Sequence, residues 1–477
     1  MGTTPFFAST TTFPDWRFEN LEDKDLISLH VDDFLGVPWQ SFLGGTPPPT
    51  GWTSKLEILA QNAKSTGKPL YVSLAPLGGG SGRRSLTAGV DSSGNKGAEG
   101  WATPVDSSGC YVFSDPGAEA YKQAYIRYCR YMIDLTQPHF FSPAIELSVS
   151  YNACPSQKTA LNAWYSDIHH SLKATYPRLI IFPSFQMEHM YGLITGTACG
   201  GGITRDACFE QRLREALTVP ADRLGFSMYP NLWKFLGETV QEHNPFALAQ
   251  TLTTKKIWVS ETGWAAVRIP NPNDCTDLFP ASIANDGIQD EYMSWLLGEA
   301  QSRGFEGVVW WLNRDFLDGA TAATCPCSGD TPTCQMLAAF NSAGGANGEL
   351  LLRLNANMAL NRYDGTARPS LMTWQTALAH PRTTSAPNSP SSAHAYPNPF
   401  LPSKGHGAIA IVEVPEAASL SIFTASGTLV RTLRSDSFGS VQWDGKNEAG
   451  QPVASGVYFV LIQGSGGKKT LKVVIQR

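Results

Sequence analysis

The sequence predicts a (β/α)8 barrel followed by a small all-β sandwich, with the boundary near residue 380. Three observations lead there. Short apolar runs alternate with amphipathic helical stretches through most of the chain, the pattern of a parallel sheet whose strands are joined by helices. The stretch "HPRTTSAPNSPSSAHAYPNPF" then replaces hydrophobic periodicity with proline, serine, threonine and alanine. Beyond it, apolar and polar residues alternate in "AIAIVEV", "ASLSIFTASG", "SVQWDG", "GVYFVLIQGSG" and "TLKVVIQ", each bounded by glycine or proline. Since 477 residues exceed what one core usually organises, the expected division is a barrel over 1–380, a Pro/Ser-rich linker over 381–396 and a sandwich over 397–477.

Seven barrel strands are expected: "LISLHV" (26–31), "LYVSLA" (70–75), "AIELSVSY" (144–151), "LIIFPSF" (179–185), "LGFSMYP" (224–230), "IWVSETG" (257–263) and "GVVWWL" (307–312). Helical stretches lie at 53–64, 118–136, 159–175, 206–218 and 284–303. The eighth strand is expected between 76 and 117, where "CYVFS" is a weak match within a glycine-rich region. A doubly wound open sheet would place a glycine fingerprint directly before a helix, and "GGGSG" at 78–82 has no such helix, so it is expected to be a loop at the site.

Composition narrows the function. A net charge of −5 with no long basic run argues against nucleic-acid or anionic-membrane partners. No stretch of about 18 apolar residues predicts a membrane span. Of nine cysteines, Cys110, Cys154, Cys199, Cys208, Cys275, Cys325, Cys327 and Cys334 fall in predicted loops, which suits disulfides in an oxidising compartment, with the pairing open. Cys129, inside "YIRYCRYM", is expected to be a buried free thiol. Zinc at Cys325, Cys327 and Cys334 is disfavoured because the spacing fits no usual module and no histidine is near; no metal and no cofactor are expected. The opening "MGTTPFF" has no basic, apolar leader, so either a signal peptide precedes this numbering or the protein is not secreted, and the loop cysteines favour the first.

In a parallel barrel the reactive side chains sit at the C-terminal strand ends. Those ends carry His30, Asp32 and Asp33 before Trp39; Glu146 and Asn152; Gln186, Glu188 and His189; Tyr229 and Trp233; Glu261 and Trp264; and Trp310, Trp311, Asn313 and Asp315. Carboxylates, hydroxyl partners and flat aromatic faces at one rim suit a sugar, whose rings stack and whose hydroxyls hydrogen-bond. Glycoside hydrolysis needs two carboxyl groups flanking the scissile bond, and Glu146 with Glu261 is the pair chosen, with Glu188 the second candidate for the acid. Strand alternation would aim Glu146, Ser148, Ser150 and Asn152 inward. His30, Asp32, Trp39, Gln186, Glu188, Tyr229, Trp233, Trp264, Trp310 and Asp315 are the candidate substrate contacts, with Trp101 a further stacking candidate. Each has a plainer role beside it: strand-end solvation for the acids, core packing for the tryptophans, and loop packing rather than metal ligation for His189.

The segments "DRLGFSMYPNLW", "KKIWVSETGW" and "GFEGVVWWLNRD" resemble the last three strands of clan A glycoside hydrolases, most closely the family 53 endo-β-1,4-galactanases. "RYDGTARPSLMTW" is similar to their closing stretch. The resemblance implies a retaining hydrolase of β-linked poly- or oligosaccharides, with Glu261 as nucleophile and Tyr229 beside it. Where the family has Asn-Glu after strand four, this chain has Asn152-Ala153, which leaves Glu146 as acid/base or points instead to a non-catalytic carbohydrate-binding or cell-surface protein. "YPNPFLPS", "LSIFTASGTLVRTL", "VQWDGKNEAGQPVASGVYFVLI" and "KKTLKVVIQR" resemble FlgD-like immunoglobulin domains and bacterial secretion-sorting domains. That likeness implies a secreted or cell-surface bacterial protein and a link to secretion machinery through this domain; separately, a monomer is expected.

Overall fold

The structure, a computed structural model, describes all residues except 4–19, 33–34, 80–81, 98–103, 195–198, 200–201, 328–330, 380–388, 397, 403–407, 413, 436–439 and 465. Asp33, Trp101 and much of the expected linker lie outside the described residues. The chain divides into two compact units, Met1–Ala284 with Phe305–Ala359, and Asn285–Gly304 with Leu360–Arg477.

In the first unit, one parallel sheet contains β1 (Gly2–Thr3), β2 (Leu26–Asp32), β3 (Leu70–Leu74), β4 (Phe140–Ser142), β5 (Ile180–Ile181), β6 (Ser184–Gln186), β7 (Leu224–Met228) and β8 (Ile257–Thr262). After a short antiparallel pair, β9 (Ile269–Pro270) and β10 (Asp277–Phe279), the strand β11 (Gly307–Trp310) joins the same sheet. Its order is β5-β4-β3-β2-β1-β11-β8-β7-β6. The two ends of that order, β5 and β6, are halves of one segment interrupted only by Phe182 and Pro183. Proline has no N–H to donate to a ladder, which explains the break.

Helices fill the connections: α1 (Trp39–Gly44), α2 (Thr50–Ser65), α3 (Ala118–Thr136), α4 (Leu147–Ala153), α5 (Lys158–Thr175), α6 (Met187–Met190), α7 (Arg205–Ala216) and α8 (Asn231–Phe235). On α2 the buried residues Trp52, Leu56, Leu59, Ala60 and Ala63 recur at helical spacing and form one apolar face. The helices expected at 53–64, 118–136, 159–175 and 206–218 are present as α2, α3, α5 and α7, and that at 284–303 as Asp286–Ser302.

Two strand expectations are corrected. "AIELSVSY" is not a strand: β4 is the preceding Phe140–Ser142, Pro143 follows it, and Glu146, at φ 55°, starts α4. A short alternation of serine and aliphatic residues suits a strand or one face of a short helix, and the left-handed backbone of Glu146 selects the helix. The described residues of 76–117 form no strand of this sheet; a further strand lies instead at Gly2–Thr3, between β2 and β11, and Tyr111 of "CYVFS" makes an isolated bridge to Val105.

Strands buried on both faces read as continuous apolar runs, yet six of these carry one serine each, Ser28, Ser73, Ser142, Ser184, Ser227 and Ser260, all buried. At one level of the sheet, Tyr71, Phe182 and Trp258 cluster with Leu26 and Val309; Tyr71 stacks on Phe182 at 5.7 Å between centroids. Gly307 admits the Trp258 ring, because a Cβ there would lie 2.6 Å from it.

The eight cysteines expected in loops pair as Cys110–Cys154, Cys199–Cys208, Cys275–Cys325 and Cys327–Cys334, although Cys208 lies in α7 and Cys334 in the helix Pro332–Ala356, and Cys129 is buried and free. The cysteines weighed for zinc are thus disulfide partners. Four disulfides fit an oxidising, extracellular environment. Among the described residues no helix is long and apolar enough to cross a membrane.

In the second unit, Asp286 pairs with Arg362 and Arg368, while Gln289 and Asp290 accept hydrogen bonds at 2.6 Å from Ser370 and Thr373, joining the helices Asp286–Ser302 and Pro369–Ala379. The rest is antiparallel: β12 (His394–Tyr396), β13 (Ile409–Val412), β14 (Ser419–Thr424), β15 (Leu429–Arg434), β16 (Ser440–Trp443), β17 (Gly456–Gly464) and β18 (Gly467–Ile475). They form the sheets β12-β13-β16 and β15-β14-β17-β18. Ile409, Ile411 and Trp443 of one sheet share a core with Leu420, Ile422, Val460, Ile462 and Val473 of the other, which makes a sandwich. Its first strand starts at His394, inside the span expected to be linker.

Candidate functional site

Polar side chains gather where β2, β3, β7 and β8 end, together with Glu146 after β4. Glu261 lies in β8, one residue before its end, and Gly263 lets the chain turn there: a Cβ would stand 2.7 Å from the carbonyl oxygen of Trp311. The Tyr229 hydroxyl donates to Oε1 of Glu261, and His30 Nδ1 lies 3.2 Å from Oε2. On the other side of His30, Nε2 is 3.8 Å from Oδ2 of Asp32. Arg83 donates to both Asp32 oxygens, at 2.7 and 2.9 Å, and its Nη2 also reaches Oε2 of Glu146 at 3.2 Å. Ser227, the register partner of Glu261, donates to Oε1 of Glu146 at 2.8 Å. The result is a connected belt, Glu261–His30–Asp32–Arg83–Glu146–Ser227.

Three members of the belt have left-handed backbone: Asp32 at φ 38°, Arg83 at 59° and Glu146 at 55°. Non-glycine residues adopt it at a cost and keep it where surroundings enforce it, most often at functional sites. For Glu146 the enforcement is visible, because its N–H donates to Ser184 Oγ at 3.0 Å.

Electrostatics follow from enclosure. Burial pushes the Glu261 carboxyl up, with Glu146 and Asp32 adding to it against His30 and Tyr229. For His30 burial is the largest influence and favours the neutral ring, but Glu261 and Asp32 outweigh it and raise its proton affinity. Burial also works against ionised Asp32, yet Arg83 and His30 hold it well below its ordinary range. Glu188 is fully enclosed and pushed up to about 7 by burial. Its Oε1 accepts from the Tyr229 N–H at 2.8 Å and from Trp233 Nε1 at 3.3 Å, while Oε2 has no partner. Burial lowers His189 to about 4, so it is neutral at neutral pH.

The expected site residues therefore divide. Glu261, Glu146, His30, Asp32 and Tyr229 come together, and Glu188 and Gln186 border them. Gln186 ends β6 as the register partner of Ser227, and its side-chain oxygen is enclosed without a partner. Trp39 is not a platform: it is buried against Tyr121 and Tyr125 of α3, with Nε1 donating to Thr87 O at 2.8 Å. Trp233, Trp264 and Trp310 are buried too, each donating its indole N–H, to Glu188, Ile283 O and Met358 O respectively, so none presents an open face. Asp315 is buried and accepts from Asn357 Nδ2 at 3.3 Å and the Ala359 N–H at 3.0 Å, holding that segment rather than facing the belt. Asn152 does not share a strand face with Glu146; on α4 it bonds His189 and lines a separate cavity of about 270 Å³.

Two participants escaped the sequence reading, Arg83 and Ser227, while Trp311, named at the rim but not among the candidate contacts, packs against His30 at 5.6 Å between centroids in a T-shaped contact. The signals were present, as paired arginines in the glycine-rich loop and a lone serine in an apolar strand; of the two adjacent tryptophans, Trp310 was the one chosen as a contact. Among the described residues no group of three or more His, Cys, Asp or Glu side chains is placed to hold a metal ion.

Residues 403–468 match the family model of the FlgD Ig-like domain. No curated protein matches the chain in sequence. Among solved structures, the type-IX secretion component PorZ of Porphyromonas gingivalis is 24% identical over 20% of this chain and 13% of its own, with a TM-score of 0.18. The GH53 catalytic domain of Ignisphaera aggregans is 16% identical over 74% of this chain and 85% of its own, with a TM-score of 0.44. A GH5_18 protein of Bifidobacterium longum in complex with Manβ1-4GlcNAc is 13% identical over 75% and 70%, also with a TM-score of 0.44.

Proposed function

We propose that this chain is a retaining glycoside hydrolase of β-linked glycans, with its parallel sheet closed as a (β/α)8 barrel. Glu261 is the nucleophile and Glu146 the acid/base. The observation that carries this reading is the placement of two carboxylates in one belt of hydrogen bonds and ion pairs: Glu261 held through both oxygens by Tyr229 and His30, and Glu146 bonded by Ser227, the register partner of Glu261 on the neighbouring strand. In the reading, a Glu261 oxygen attacks the anomeric carbon while Glu146 protonates the departing glycosidic oxygen; Glu146 then takes a proton from the water that releases the sugar. This requires the two carboxyls to lie about 5 Å apart.

Glu188 is the second candidate for the acid, favoured by its raised proton affinity. Glu146 is preferred because its side chain is 16% exposed, whereas Glu188 is 0% exposed and reaches no substrate without an opening of the site. Gln186 and Asp32 are the proposed sugar contacts. The chain division proposed with this function is a catalytic barrel, a linker and a terminal sandwich that serves export or surface attachment.

The test is product analysis on β-linked galacto-, gluco- and manno-oligosaccharides, with the anomer formed first read by proton NMR. Retention is expected. Inversion would overturn the mechanism, and oligosaccharide binding without any cleavage would favour the carbohydrate-binding alternative.

A further inference from the structure

His30 stands between two carboxylates on different strands. Nδ1 lies 3.2 Å from Glu261 Oε2 and Nε2 lies 3.8 Å from Asp32 Oδ2, with Ser73 Oγ 3.3 Å from Nδ1. The ring is 5% exposed, and the Trp311 edge packs on it. The other charged or titratable groups around it are Arg83 from the loop after β3, bound to Asp32; Glu146 beside Arg83; Tyr71 of β3; and Tyr229 after β7. Burial keeps both tyrosines protonated. A neutral imidazole carries a proton on only one nitrogen, so it could face only one of the two carboxylates as a donor; an imidazolium faces both.

We propose that His30 is a positioning residue for Glu261: its imidazolium, oriented by Asp32, keeps the Glu261 carboxylate ionised and fixed for attack. This rests on the reading of Glu261 as nucleophile. Loss of the His30 proton in alkaline solution removes the cation from beside Glu261, and the rate of attack falls with it.

Two measurements test the idea on the full chain. In the first, wild type and His30→Gln are compared from about pH 5 to about 9 on 4-nitrophenyl β-galactoside, β-glucoside and β-mannoside. The variant is expected to lose about 10²-fold in kcat/KM and to have its alkaline limb displaced from that of wild type. In the second, histidine ring signals are followed by NMR in wild type and Glu261→Gln, with His30 assigned from its absence in His30→Gln. The ring should titrate above its ordinary 6.5 in wild type and at a lower pH in Glu261→Gln, where the carboxylate that raises it is gone. A His30→Gln enzyme with wild-type rate and alkaline limb overturns the proposal, as does a ring titration that Glu261→Gln leaves in place. If wild type cleaves none of the glycosides, the hydrolase reading fails while the NMR comparison still decides the coupling. If His30→Gln does not fold, His30→Asn supplies the assignment and the Glu261→Gln titration decides.

Discussion

Arg83 grips Asp32 with both terminal nitrogens of its guanidinium, at 2.7 and 2.9 Å, from a backbone held at φ 59°. Planar two-point pairing of this kind is strong and directional, and here it is enclosed. One of the same nitrogens also reaches Glu146, so a single cation orders a carboxylate at the end of β2 and another at the start of α4. Replacing Arg83 by methionine leaves both acids enclosed without it, and a loss of about 3–5 kcal/mol is expected in denaturant unfolding at neutral pH. The sign with pH is set by Asp32. Its proton affinity is depressed in the fold, so its stabilising contribution is present above the ordinary 3.8 and is lost as pH falls through its lower folded value. The difference between wild type and Arg83→Met should therefore shrink on acidification; equal stability at neutral pH would contradict the role.

Glu261→Gln keeps the shape of the side chain and its place beside Tyr229 and His30, so the melting temperature should change little. Turnover of any substrate that wild type cleaves should fall by at least roughly 10³-fold. In Glu261→Gly, added azide should restore cleavage and give a glycosyl azide of inverted configuration, detected by NMR. A fully active Glu261→Gln would remove the nucleophile assignment.

Glu188 gives a stability profile of opposite slope to that of Asp32. Its proton affinity is raised from the ordinary 4.5 to about 7, so the stabilising contribution of its neutral form is full below 4.5 and is lost as pH rises through about 7. Glutamine is neutral at every pH. Glu188→Gln should therefore gain on wild type as pH rises from about 5 to about 8, by up to about 3 kcal/mol in denaturant unfolding. Parallel profiles for the two proteins would show that Glu188 does not titrate in this range.

The disulfide Cys110–Cys154 ties the loop after β3 to the end of α4, the helix that Glu146 starts. Changing both cysteines to serine removes a crosslink that spans 44 residues, and a loss of about 4 kcal/mol is expected from loop entropy. Activity should fall with stability, because Glu146 is held at the other end of that helix. An unaltered melting temperature would show that the crosslink constrains little.

Much of this protein was legible in its sequence because burial leaves a pattern. Strands covered on both faces must be apolar, so β2, β3, β7, β8 and β11 stood out, and Glu261 and Tyr229 followed from the ends of two of them. The sandwich strands alternate because they are covered on one face. What escaped was a two-residue strand at Gly2–Thr3, too short to carry a period, and a run of alternating serines and aliphatics whose two-residue period suggested a strand but which forms α4. The tryptophans misled for a related reason. Composition counts them but does not say which way each faces, and Trp39, Trp233, Trp264 and Trp310 all face inward.

The amino-acid sequence by itself determined the alternation of strands and helices, the terminal sandwich, the stock of cysteines for crosslinks and the carboxylate at the end of "WVSETGW". Only the tertiary structure decided which cysteines pair and which charges meet. Arg83 is 51 residues from Asp32 and 63 from Glu146, and Ser227 is 81 from Glu146. Contacts across such distances depend on strand order and register, which local periodicity does not encode, and on left-handed backbone at Asp32, Arg83 and Glu146 that the surrounding packing enforces.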